Sequence, residues 1–261
     1  MYFVCLLLFF FNCLFLVNSR SEEILLLCDT PPESQMSLLE NFFVDNNLQT
    51  RQLSQADFSK LPSLMNKSII VYVHKPFLAP VEKKLIDFCN DGGRLVVLHH
   101  AIASAKMQNQ NWLPFCGVGL TKDKTARFPW TVLVNGTFHM VNLWPGHFVT
   151  TNKMQYDATV SYASSDQPAE KCSFQAFTLP DTELLMNQMF VDGRQKTVLF
   201  GYKFIDSVSG KTFMADRAGW FVKKNKGLLF YFVAGHCDAD FLNKSFCQVI
   251  LNSLIFNPDE H

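Results

Sequence analysis

Apolar positions along this chain fall into short unbroken runs separated by stretches of helical spacing, the alternation expected of strands covered on both faces and of the helices that cover them. Residues 23–29 read as a first buried strand. Thr30, Pro31 and Pro32 break it, and Glu33 leads into an amphipathic helix to about residue 44. Residues 48–53 alternate like a second strand, and 68–74 form a third, strongly apolar one. A helix over 79–90 starts near Pro80, turns Val81, Leu85, Ile86, Phe88 and Cys89 toward a core, and ends at Gly92 and Gly93. Leu95 to Leu98 are then continuously apolar and run into His99 and His100, after which Ala101, Ile102, Ala103, Ser104 and Ala105 can start a helix.

This β-α-β-loop-β-α-β order predicts a parallel sheet with right-handed crossovers. Between Trp112 and about residue 185, short β-prone pieces at 130–134 and 158–162 alternate with Pro, Gly and Asn, which predicts β-rich insertions with a few antiparallel strands. Asp192 and Gly193 carry a hairpin-turn signal ahead of a strand at 197–204. Residues 227–234 form a second all-apolar strand, and it too runs into a histidine, His236. Phe241, Phe246, Val249, Ile250, Leu254 and Ile255 then recur at helical spacing, a closing helix for which Asp240 is the expected N-cap.

With 261 residues, 48% hydrophobic and 18% charged, the chain is too apolar for disorder and long enough for one large domain. Lys plus Arg equals Asp plus Glu at 23 each, so no global field favours nucleic acid or an anionic membrane. Residues 1–17 are almost wholly apolar, and Val17 and Ser19 satisfy the small-residue rule for cleavage before Arg20, so 1–19 reads as a signal peptide and 20–261 as the mature domain. An uncleaved anchor is the alternative, because no Lys or Arg precedes the apolar run. The first reading makes the mature chain secreted or lumenal, with no membrane association after cleavage.

That compartment changes two other readings. Cys28, Cys89, Cys116, Cys172, Cys237 and Cys247 form an even set that could pair as disulfides, with buried free thiols as the alternative for Cys28 and Cys89. Asn66, Asn135 and Asn243 each begin a glycosylation sequon.

The chemistry concentrates where strands end. In an open α/β sheet ligands bind at the carboxyl ends of strands, which is where His99, His100 and His236 are expected. Imidazole titrates near neutral pH and coordinates metals, so these three are the candidate catalytic residues. Neighbouring residues leave a strand in opposite directions, so one of His99 and His100 is expected to face the cleft. His139, Tyr156, Asp157, Trp220 and Ser104 are candidate substrate-binding groups, by acid-base contact, stacking or a hydroxyl. Imidazoles with carboxylates such as Asp157, Asp238 and Asp240 would admit a divalent metal, although no HxH or HExxH spacing defines a geometry.

Three segments carry a resemblance. Gly92 to Ala101 is similar to a "GGG-strand-LH-small" motif. Trp220 with Lys226, Gly227, Leu228, Leu229, Phe230, Tyr231, Gly235 and His236 is similar to "W, GkGRVFY, lGH". Phe138, His139, Met140 and Val141 with Phe148 and Tyr156 are similar to "HPI, then F, then DELY". These are motifs of ThuA-like domains, the trehalose-utilisation branch of the class I glutamine amidotransferase-like superfamily, and the resemblance spans nearly all of the mature chain. It implies a single flavodoxin-like, amidotransferase-like α/β domain with a mostly parallel central sheet, helices on both faces and β-rich insertions. It also implies a role in acting on or binding a small carbohydrate or keto-sugar derivative, with a catalytically inactive binding module for carbohydrate or protein as the alternative. The chain departs from the pattern where Asn152, Lys153, Met154 and Gln155 replace an acidic pair, and the corner that holds a cysteine in glutaminases holds His99 and His100.

Overall fold

The structure, a computed structural model, describes residues 23–65, 67–163, 172–193 and 195–259. The expected signal peptide and the sequon at Asn66 lie outside the described residues. The first part of the chain alternates as its pattern predicts: β1 (Glu23–Cys28), α1 (Ser34–Asp45), β2 (Thr50–Leu53), α2 (Gln55–Lys60), β3 (Lys67–Tyr72), α3 (Ala79–Asn90) and β4 (Arg94–Leu98). Two short 3-10 turns, His99–Ile102 and Ser104–Gln108, replace the single helix expected after β4. Then follow α4 (Trp112–Cys116), β5 (Val118–Gly119), β6 (Thr131–Asn142), α5 (Phe148–Thr151), β7 (Ala158–Tyr162), β8 (Cys172–Met186), β9 (Met189–Phe190), β10 (Thr197–Asp206), β11 (Thr212–Lys224), β12 (Gly227–Phe232), α6 (Asp238–Leu242) and α7 (Lys244–Ile255).

Ten strands form one sheet in the order β2-β1-β3-β4-β12-β11-β10-β6-β8-β7. From β2 to β12 every pairing is parallel; from β12 to β7 every pairing is antiparallel. The expectation of a mostly parallel sheet is therefore corrected. The segments read as insertions are long strands that extend the sheet instead of decorating it. Strands joined by hairpins need no crossover helix, so they add to the sheet antiparallel.

Residues of β1, β3, β4 and β12 are almost all fully buried, because helices cover both faces of the parallel half. α1, α6 and α7 pack together as one group, and α2, α3 and α4 as another. The Asp192-Gly193 turn does not close a hairpin. β9, just before it, pairs with β5 in a separate two-stranded ribbon.

The expected disulfides are also corrected: all six cysteines described are free. Each buried thiol has its own surroundings, with Cys28 facing the Gln52 amide oxygen at 3.7 Å and Cys247 donating to the Phe241 carbonyl at 3.1 Å. Burial pushes Cys28, Cys89 and Cys247 up to about 12, so they stay protonated small apolar groups.

Candidate functional site

Three neighbouring parallel strands, β3, β4 and β12, each run into histidine at the same sheet edge: His74, then His99 and His100, then His236. The register aligns Phe232 with Leu98 and Val71 with Val97, so the residues just beyond these strand ends arrive side by side. The chain turns sharply there. His99 adopts a left-handed backbone with φ +48° and Gly235 has φ +109°, conformations that cost a non-glycine residue about 1–3 kcal/mol and collect at functional sites. A side chain at position 235 would also press on the Phe241 ring, 3.1 Å from a Cβ there.

The group these imidazoles surround is Glu183, near the end of β8. His100 Nε2 lies 2.7 Å and His99 Nε2 3.1 Å from Glu183 Oε1, and His236 Nδ1 lies 3.4 Å from Oε2. The His99 and His100 rings are 4.3 Å apart, those of His99 and His236 5.5 Å, and His74 stands 4.8 Å from His100 on the outer side. Burial is graded: the side chain of His99 is 0% exposed and Glu183 8%, whereas His100 is 26% and His236 38% exposed.

The surroundings hold each member in place. His99 Nδ1 lies 2.8 Å from the Val233 carbonyl, which can only accept, so Nδ1 carries the hydrogen. Full burial pushes the His99 imidazole down to about 4, so it is neutral at pH 7. Burial works to raise the Glu183 carboxyl, but the His100 and His99 imidazoles beside it outweigh that and hold the group well below the usual carboxylate range. Asp240, fully buried, uses one oxygen to accept from the backbone N–H of Gly235 and of His236 and from the Thr182 hydroxyl, at 3.0, 2.7 and 2.8 Å. It therefore ties the His236 turn to the residue preceding Glu183. The helix cap expected of Asp240 falls to Asn243, whose side chain accepts from Ser245 and Phe246. His74 is held by Asp29, which accepts from its backbone N–H at 2.7 Å. The same network lowers the Asp29 carboxyl against the upward push of burial.

His99, His100 and His236 thus converge, and both histidines of the pair reach Glu183 where one was expected to face the cleft, because they stand in a 3-10 turn and not in the alternating strand. The remaining candidates sit elsewhere. His139 on β6 faces the Thr178 hydroxyl at 3.1 Å, and Asp157 accepts from that same hydroxyl at 3.0 Å. From Thr178 to Glu183 is about 16 Å of extended chain, so this pair is a separate polar group. The Tyr156 hydroxyl donates to the Thr150 carbonyl. Trp220 is fully buried against Tyr231 and Phe190, and Ser104 opens the second 3-10 turn.

A cavity of about 1000 Å³ opens at the amino edge of the same strands, lined by Leu64, Lys84, Phe88, Gly93 and Arg94. Its basic groups are already paired, Lys84 with the carbonyls of Phe58, Ser59 and Leu61, Arg94 with those of Ser253 and Leu254, Lys67 with Glu23 and Lys83 with Asp87.

Sequence reasoning missed Glu183 and His74. His74 carried the same signal as His236, a histidine closing an apolar run. Glu183 carried none, because its place depends on how β6 and β8 bend. Their register slips between Leu133 and Gly136 and again between Gly136 and Phe138, and Asp181 has φ +51°. Such bulges sharpen twist and re-aim side chains. The ribbon of residues 131–133 and 184–186 curls over the carboxyl edge, where Gln188 donates to the Ile102 carbonyl and contacts the Tyr231 hydroxyl at 2.7 Å.

No family model and no curated protein matches the chain. Among solved structures, a protein designated ThuA-like from Bacteroides uniformis superposes with a TM-score of 0.58 at 17% identity, covering 88% of this chain and 89% of that one. A glutamine amidotransferase from Thermotoga maritima gives a TM-score of 0.44 at 12% identity over 82% of this chain and 75% of that one. The β-galactosidase of Rahnella sp. R3 gives 0.49 at 9% identity, over 88% of this chain and 30% of that one. The chain is thus similar in fold, across most of its length, to a protein designated ThuA-like.

Proposed function

We propose that this chain is a ThuA-like α/β protein, secreted or lumenal, that binds and acts on a small carbohydrate or keto-sugar derivative at the histidine edge of its sheet. The observation that carries the reading is the convergence of His99, His100 and His236 on the ionised carboxylate of Glu183. A carboxylate with two oxygens accepts from neighbouring hydroxyls of a polyol, and imidazoles beside it can donate to, or take a proton from, the same ligand. The partly exposed rings of His100 and His236 form the side a ligand reaches, and buried His99 supports Glu183 from behind.

Calorimetric titration of the purified chain with mono- and disaccharides and their keto derivatives, followed by NMR of each mixture, tests this. Saturable binding that is lost in His236→Ala, with conversion of at least one keto-sugar, is expected. Absence of saturable binding, or binding unchanged in the variant, refutes it.

A binding module without turnover is the second reading, favoured by the segment that replaces the family's acidic pair. Asn152 donates to Asn252 at 2.9 Å, and Asn252 donates back to the Asn152 and Val149 carbonyls, so this segment holds α5 against α7 instead of offering an acid. Binding without conversion across the panel selects it.

A further inference from the structure

We propose that His99, His100, His236 and Glu183 bind one divalent transition-metal ion of the zinc type, with an open coordination position on the solvent side. The proposal deepens the reading above and rests on it only for the identity of the ligand that would take the open position.

Four observations carry it. His99 Nδ1 is committed as a donor to Val233, so the lone pair of Nε2 points toward Glu183 Oε1 at 3.1 Å, and this buried nitrogen has no hydrogen-bonding partner, while Oε1 is shared with His100 Nε2 at 2.7 Å. Two acceptors facing one another in a buried place call for a cation between them. Second, atoms bound to one ion at about 2.1 Å stand about 3.0 Å apart in an octahedron and about 3.4 Å apart in a tetrahedron. The imidazole nitrogens lie 2.7, 3.1 and 3.4 Å from the Glu183 oxygens, close to these separations, and donor pairs standing wider, up to 4.8 Å, would draw in around the ion.

Third, the set is orientated from behind as ligands are. His99 gives its one N–H, on Nδ1, to a backbone carbonyl, and Asp240 fixes both the His236 backbone and Thr182. Fourth, the donors are three imidazoles and one carboxylate, a set that suits zinc, iron, cobalt or nickel better than calcium or magnesium. The deep side is closed by His99 and Glu183, while His100 and His236 border solvent, so an exogenous ligand would enter from that side as a fifth ligand.

The test is metal binding by the full chain, purified without a histidine tag, stripped with EDTA and dialysed. Titration with cobalt(II), read by visible absorption and elemental analysis, should saturate at about one ion per chain, with ligand-field bands that zinc(II) abolishes. Glu183→Gln and His236→Ala should each weaken binding by more than about tenfold, while His139→Ala should match the wild type. Zinc at about a hundredfold excess over the wild-type Kd should raise the unfolding temperature of the wild type by about 5 °C or more, and that of both site variants by half of this or less.

Should Glu183→Gln not fold, the partly exposed His236→Ala carries the comparison. Substoichiometric cobalt, or equal binding by wild type and both site variants, overturns the proposal and leaves an imidazolium–carboxylate cluster only. The two readings fail separately. Sugar binding that persists in EDTA-stripped protein, with no metal uptake, sinks the metal site alone; stoichiometric metal uptake with no response to any sugar sinks the carbohydrate reading alone.

Discussion

Asp240 is the hinge between the two halves of the site, and replacing it tests whether the structure assigns its role correctly. One carboxylate oxygen accepts from Gly235 N–H, His236 N–H and the Thr182 hydroxyl, while its other oxygen has no hydrogen-bond partner. In Asp240→Ala three buried donors lose their acceptor, at about 1–3 kcal/mol each. Part of this is offset, because burial raises the Asp240 carboxyl and the variant no longer holds a charge in a dry place. The net expectation is a loss of about 4 kcal/mol, in the range for breaking a buried charged network. In a domain of this size that lowers the unfolding midpoint by about 8–16 °C.

Asp240→Asn keeps an acceptor in place but removes its charge, for a loss of about 1–2 kcal/mol. Thr182→Val removes one donor together with its need, at about 1 kcal/mol. The double variant Asp240→Ala, Thr182→Val should be milder than the sum by about 1–2 kcal/mol, since no hydroxyl is left stranded. The pH dependence has a definite sign. A carboxyl raised in the folded state contributes stability that is complete below its unfolded value near 4 and is lost as pH rises through the folded value, a slope Asp240→Asn should remove. Urea unfolding followed by circular dichroism at several pH values measures all four. The reasoning is refuted by an Asp240→Ala loss under about 1 kcal/mol, or by strict additivity in the double variant.

Two further outcomes follow from other parts of the fold. Lys106, fully buried, donates to the Val73 and Lys75 carbonyls, and burial pushes its ammonium down to about 7. A depressed lysine contributes stability present above its unfolded value near 10.5 and lost as pH falls toward 7, about 2 kcal/mol between pH 9 and pH 7; guanidinium unfolding should show this slope in the wild type and not in Lys106→Met. If the chain is made in a eukaryotic secretory route, exposed Asn135 should carry glycan and Asn243 should not. The Asn243 amide caps α7 and donates to Thr178, and Ser245 donates to Gln155, so one mobility shift is expected to be lost in Asn135→Gln and none in Asn243→Gln.

What could be read in advance follows from the range of the interactions that set each feature. α3 is bounded as its pattern predicts, because Pro80, the apolar spacing and Gly92 act within one or two turns. The apolar runs of β1, β3, β4 and β12 announced strands buried on both faces, and the histidines that close β4 and β12 announced the edge. α2 was passed over although Ser54 and Asp57 form its cap, since six residues with one buried Phe58 give little periodicity. The antiparallel half was harder. β6, β8, β10 and β11 mix buried and half-buried residues without clean alternation, and their pairing depends on bulges that no local spacing encodes. Glu183 is the clearest case: flanked by Thr182 and Leu184, it has no motif, and only the curl of a distant ribbon brings it to the histidines.

The division of labour between the two halves of the sheet bears on how the site is stabilised. The imidazoles come from turns whose position is fixed by a closely packed parallel core, so their geometry is as rigid as the strands beneath them. The carboxylate comes from a bent antiparallel ribbon tied to that core through Gln188 and Thr182. Between them lie a histidine in a left-handed conformation and a lone pair turned toward a carboxylate, both unfavourable in isolation. A packed protein retains such an arrangement when something other than stability depends on it. On the proposed reading that dependence is electrostatic: an ion between His99 and Glu183 would turn the opposed acceptors into ligands, and zinc should then stabilise the wild type while Glu183→Gln, which already lacks the opposing charge, gains half as much or less from the ion.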